Sequence, residues 1–167
     1  MHYLVKLVVK GSNATEALEQ AVIDADTLVE YGDYDWYAVD GRWGKGKAYG
    51  VDSKKGQELL KEGMKFHRQE FDSGLAHIRY MLQHYSDDDI YNENWGEVDR
   101  DSLPKDVYYL SKYQFNIADG GRNGAFVYAM DGDLWGGMAQ KDSDLEHILN
   151  KNNKPDKLWV VPIDFHN

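Results

Sequence analysis

HYLVKLVVK at His2–Lys10 and KLWVVPIDFH at Lys157–His166 are strongly apolar runs that stand at opposite ends of the chain. In the first, Tyr3, Val5, Leu7 and Val9 alternate with His2, Leu4, Lys6 and Val8, which is the period of a β-strand. In the second, Trp159, Val161, Ile163 and Phe165 take the core side. Each strand has an amphipathic helix beside it. Asn13 with Glu16 is a helix-start signature, and Ala17, Leu18, Ala21, Ala25, Leu28 and Val29 then recur at helical spacing until Gly32. Ser143 with Glu146 opens the other, which Asn152, Asn153 and Pro155 terminate. A chain that starts and finishes in its own core holds whatever lies between as an insertion.

At 167 residues the expected organisation is a single domain, 1–167, with room for a sizeable core. With 42% apolar and 29% charged residues the composition is too hydrophobic for disorder, and no apolar run reaches the roughly 18 residues of a membrane span. A strand pattern containing Lys6 and Lys10 follows Met1 directly, so no signal-peptide core is expected. The absence of cysteine excludes disulfides and thiolate metal sites and fits a cytoplasmic protein. A net charge of −10 argues against nucleic acid and anionic membrane as partners, since both need clustered Lys and Arg.

Further along, Asp35 to Val39 reads as a short aromatic strand running into a glycine-rich loop. Ser53 caps a long helix with Leu60, Met64, Phe71, Leu75, Ile78, Leu82 and Tyr85 on one stripe. The stretch from Ser86 to Asp101 reads as irregular surface structure, and the run Asp87, Asp88, Asp89 as a solvated helix start or loop rather than a calcium loop. Tyr113, Phe115 and Ile117 alternate as in a half-buried strand after a helical turn at Pro104. Ala125 to Met130 is expected as a strand, Asp131 and Gly132 as a hairpin turn, and Leu134 to Met138 as the return.

Two strand, helix, strand units in series define an α+β fold, a ferredoxin-like split βαβ core (1–44 and 120–167) with a large, mainly helical insertion (45–119). The opening His2–Val9, the segment from Asp35, Trp36 and Tyr37 to Gly41, Arg42 and Trp43, and the closing Trp159–His166 resemble small phage-encoded proteins of ferredoxin-like type. That resemblance covers the two ends of the chain and implies a phage or prokaryotic cytosolic setting.

The chemistry-bearing residues gather in the connections. Of five arginines, Arg42 lies between Gly41 and Gly46 and Arg122 between Gly120 and Gly124. Glycines let backbone N–H groups approach an anion, and a guanidinium fork pairs with phosphate bidentately. Lys45 and Lys47 add charge, and Trp36, Trp43 and Trp135 lie nearby in sequence, so an anion pocket beside an aromatic face is one reading. Tight turns whose arginines pair with surface carboxylates are the other. Antiparallel pairing of the end strands brings His2 towards His166, with Lys6 and Asp164 on the same face, opposite the helices and therefore expected to be open. His67 falls on the apolar stripe of the long helix. No P-loop, nucleophile elbow or metalloprotease motif is present, so no catalytic residue, cofactor or metal is assigned.

The expected function is therefore a non-enzymatic binding protein for a small phosphorylated, nucleotide-like ligand. Arg42, Lys45, Lys47 and Arg122 would hold phosphate, Trp43 and Trp135 would stack on a base, and His2 or His67 would read polar edges. In the phage setting it would sequester a host immune signal in the host cytoplasm. The alternatives are an acidic inhibitor of a host defence protein and a His-dependent hydrolase of nucleotide signals. A homo-oligomer is compatible with any of these.

Overall fold

The structure, a computed structural model, describes residues 2–43, 45–117, 127–133, 135–150 and 157–166. Arg122 with its glycine-rich connection, the first residues of the strand expected at 125, Leu134 and the helix terminators at 152–155 lie outside the described residues. The chain divides into two compact units, one of residues 1–67 with 124–167, the other of residues 68–123.

The first unit is built on a mixed sheet. In chain order its elements are β1 (His2–Gly11), α1 (Ala14–Glu30), β2 (Trp36–Ala38), β3 (Tyr49–Gly50), the first half of α2 (Lys54–His84), β4 (Val127–Ala129), β5 (Gly137–Met138), α5 (Asp142–Asn150) and β6 (Lys157–His166). The strand order is β2-β6-β1-β4-β5, with β3 also on β6. β1 and β6 pair antiparallel along their whole length, from His2 opposite His166 to Gly11 opposite Lys157, while β4 runs parallel to β1. The end strands are thus central neighbours, and the fold is α+β. Pro162, which has no N–H to give, falls between the stretches of β6 that pair with β3 and with β2.

Both faces of this sheet are covered. Val5, Leu7, Val9, Val161, Ile163 and Phe165 pack with Ala17, Ala21, Ala25 and Leu28 of α1. Val8, Leu158 and Val160 pack on the other face with Leu59, Leu60 and Met64 of α2 and Ile148 of α5. The face expected to be open is therefore covered, and Lys6 and Asp164 on it are only 2% and 3% exposed. Burial on both sides is also why the end strands read as nearly continuous apolar runs. The start of α2 comes close to β3: a Cβ at Gly56 would lie 2.2 Å from the carbonyl oxygen of Gly50, a gap only glycine permits. α1 starts as its sequence dictates, Asn13 accepting from the backbone N–H groups of Thr15 and Glu16.

In the second unit Met81, Ile90, Val107 and Leu110 form a small core. Two expectations change here. Within the supposedly irregular acidic stretch, Asp87–Asn92 form a short helix, α3, because Ser86 and Asp89 cap it reciprocally. The strand expected around Tyr113–Ile117 is a helical turn instead, α4 (Gln114–Ile117), opened by backbone bonds from Gln114 to Ser111 and from Phe115 to Lys112. Alternation over so few residues did not distinguish the two.

His77, 2% exposed, uses Nε2 to accept the Ser111 N–H at 3.3 Å, and burial lowers its pKa. The ring is neutral when folded, so the unfolded chain binds the extra proton once pH falls below the ordinary histidine value of about 6.5. Stability contributed by the neutral ring is complete above that pH and is lost as pH falls towards the lowered folded-state value, at no more than about 1.4 kcal/mol per pH unit. Urea midpoints measured between neutral and mildly acidic pH should fall less steeply in His77→Gln, whose amide can accept the same bond without titrating.

Candidate functional site

Register across three strands sets one end of the sheet. Trp36 on β2 lies opposite His166 on β6, and His166 lies opposite His2 on β1. Side chains in one row share a face, so three rings meet. The Trp36 indole stacks on His166 with centroids 5.1 Å apart and planes 12° apart. His2 stands edge-on to His166 at 5.2 Å and to Trp36 at 5.8 Å. The loop after β2 adds Trp43, edge-on to His2 at 6.5 Å, and the Arg42 guanidinium lies over the Trp43 ring at 5.3 Å.

Asp164 ties this assembly together. Its carboxylate accepts from Nδ1 of His2 at 2.9 Å and from the backbone N–H of Arg42 at 3.0 Å. The loop reaches it only because residue 41 is glycine: a Cβ there would lie 2.6 Å from the Asp164 Cβ and 2.8 Å from its carboxylate oxygen. With Nδ1 carrying the proton towards Asp164, neutral His2 keeps Nε2 as an acceptor for something else. Asp35 lies 3.8 Å from Nδ1 of His166.

Beside the rings is a hollow of about 200 Å³, lined by His2, Leu4, Lys6, Trp43, Glu62 and Phe66. β1 lines it with His2, Leu4 and Lys6 of one face and with the intervening Tyr3, and Glu62 and Phe66 come from α2 one turn apart. Burial pushes the pKa of Lys6 down, while the Glu62 carboxylate acts in the opposite direction. Trp36, Trp43 and Phe66 are partly open, at 46%, 38% and 41%. A larger hollow of about 680 Å³ lies against α1 and the end of β1, but Glu16, Glu19, Asp24 and Asp131 line it against one lysine, Lys10. Lys10 is paired with Asp131 at 2.7 Å, so that hollow repels an anion.

The residues singled out in the sequence are distributed unevenly. His2, Arg42 and Trp43 come together, with Lys45 and Lys47 exposed on the same loop. Trp135 belongs to the β4–β5 connection at the opposite edge of the sheet, where its indole N–H donates to the Met138 carbonyl and its ring meets His147. His67 is packed into the core side of α2, where burial lowers its pKa and Asp144 of α5 opposes that shift. Sequence reasoning left Lys6, Glu62 and Phe66 out of the site. The signal for Lys6 was its place in the alternation His2, Leu4, Lys6, while Glu62 and Phe66 carried none that periodicity could isolate. Among the described residues no three His, Asp or Glu side chains converge as a metal site, and no helix is long and apolar enough to cross a membrane.

Fold and site together define an α+β protein with an aromatic, histidine-bearing hollow at one end of a mixed sheet. The chain belongs to a domain family of unknown function (DUF7995), whose family model matches residues 1–167. No curated protein and no solved structure matches it.

Proposed function

We propose that the protein binds a small phosphorylated, nucleotide-like ligand at this end of the sheet, without transforming it. The observation that carries the proposal is the mooring of the Arg42–Trp43 loop on buried Asp164 beside the His2 ring. A guanidinium, two loop lysines and an exposed indole face are the groups a phosphate and a base require. Arg42 is anchored in advance by its backbone bond to Asp164, which lowers the ordering cost of binding. The resemblance of the chain's ends to phage-encoded proteins supports the narrower form of the proposal, capture of a host immune-signal nucleotide.

A thermal-shift screen with cyclic dinucleotides, adenosine diphosphate ribose derivatives and mononucleotides tests this. Saturating ligand at about a hundred times Kd adds about 2.7 kcal/mol, a readily measured rise in Tm. Trp43→Ala and Arg42→Ala should each weaken binding by about tenfold or more, the scale of one stacked base or one charge-assisted bond. No shift with any member of the set overturns the proposal.

One observation favours a second reading, an acidic inhibitor of a basic host protein. In the second unit Tyr91, Tyr108, Tyr109, Tyr113 and Phe115 are exposed, Tyr108 by 80%, in a segment that also carries Asp87, Asp88 and Glu93. Exposed tyrosines among carboxylates suit a basic protein surface. This reading expects salt-sensitive association that Tyr108→Ala with Tyr109→Ala abolishes, and no nucleotide shift.

A further inference from the structure

Lys6 stands on β1, a strand with neighbours on both sides, and is 2% exposed. Its Nζ donates to the Leu4 carbonyl at 3.3 Å, and among the described residues no carboxylate lies within ion-pair distance of it. A lysine kept only to fill this position would be better served by methionine, which has no amine to desolvate. The side chain instead borders the hollow, which Glu62 and Phe66 of α2 and Trp43 of the β2–β3 loop also line. An amine out of water, next to a space that a small molecule can enter, is the setting in which lysine acts as a nucleophile.

We propose that Lys6 is a nucleophilic amine and that the hollow takes a small aldehyde or keto compound, which it holds as an imine. The neutral Nζ lone pair forms a bond to the carbonyl carbon while the C=O π pair moves to oxygen. Nitrogen then gives up one proton and oxygen gains one. The resulting carbinolamine closes to C=N as its hydroxyl takes a proton and leaves as water, and the nitrogen releases its second proton. Amine and carbonyl yield imine and water, and nothing is oxidised or reduced. Glu62 is the group placed to carry the proton, and Trp43 and Phe66 shield the apolar remainder of the compound. Burial also lowers the pKa of Lys6, which raises the neutral fraction. The inference shares the hollow with the proposed function but uses none of the phosphate contacts.

The test is reductive trapping on the full chain with benzaldehyde and sodium cyanoborohydride at neutral pH, mapped by peptide mass spectrometry. The chain has fourteen lysines. Lys6 should be alkylated at least tenfold faster than exposed Lys54 or Lys65, and in urea-denatured chain this advantage should vanish. Glu62→Gln should slow labelling at Lys6 alone. Labelling of Lys6 no faster than of the exposed lysines in the native chain overturns the inference, and needs no variant to fold. Nucleotide-induced thermal shifts without Lys6 labelling reject this inference only; selective labelling without any nucleotide shift rejects the nucleotide reading only.

Discussion

Asp164→Ala should lower Tm by roughly 5–10 °C and remove the proposed nucleotide binding. The side chain is 3% exposed and accepts from His2 and from the Arg42 backbone, so its loss leaves two partly buried donors without their acceptor. Buried donors left without partners cost about 1–3 kcal/mol each, and a chain of this size shifts by about 2–4 °C per kcal/mol. The space beside Gly41 would also be empty, leaving the loop without its anchor. Asp164→Asn keeps the shape but loses the charge and one acceptor oxygen, and should fall between the alanine variant and the parent. Calorimetry with a nucleotide titration on each variant checks both effects. Parent-like stability in Asp164→Ala would mean that the loop is held elsewhere.

Phe165→Ala, one residue further along β6, should be the more destabilising of the two, yet leave affinity unchanged within about twofold. Phe165 is fully buried against Tyr34 and Tyr37, with ring centroids 4.4 Å and 5.6 Å away. Truncating a buried phenylalanine costs about 3–5 kcal/mol through lost transfer energy and the cavity left behind. Its side chain projects into the α1 layer, whereas Asp164 lies on the other face with His2 and the Arg42 backbone, because successive strand residues point to opposite faces. Urea midpoints and a titration below the melting transition separate the two quantities. A large affinity loss in Phe165→Ala would show that the two faces are coupled through the strand.

Alternation and capping were enough to locate β1, α1, β2 and β6, and to place His2 opposite His166, because those features depend on residues near one another in sequence or on one antiparallel register. The expectation of one open sheet face failed for a physical reason. Val8, Leu158 and Val160 carry the same apolar signal whether a helix covers them or not, and the helix that does so, α2, begins more than forty residues away from Val8. The same limit applied to the site. Arg42 and Trp43 stood out as a cation and an indole in a glycine-rich loop, but nothing local to them pointed to Asp164.

Composition and periodicity by themselves determined the class of fold, the central pairing of the chain's two ends and the acidic character of the surface. Tertiary structure alone decided that α2 closes over the His2 face, that Trp135 sits at the far edge from Trp43, and that Lys6 borders a hollow with Glu62 and Phe66. Periodicity reports which residues avoid water; which distant element excludes it from them depends on packing across the whole chain.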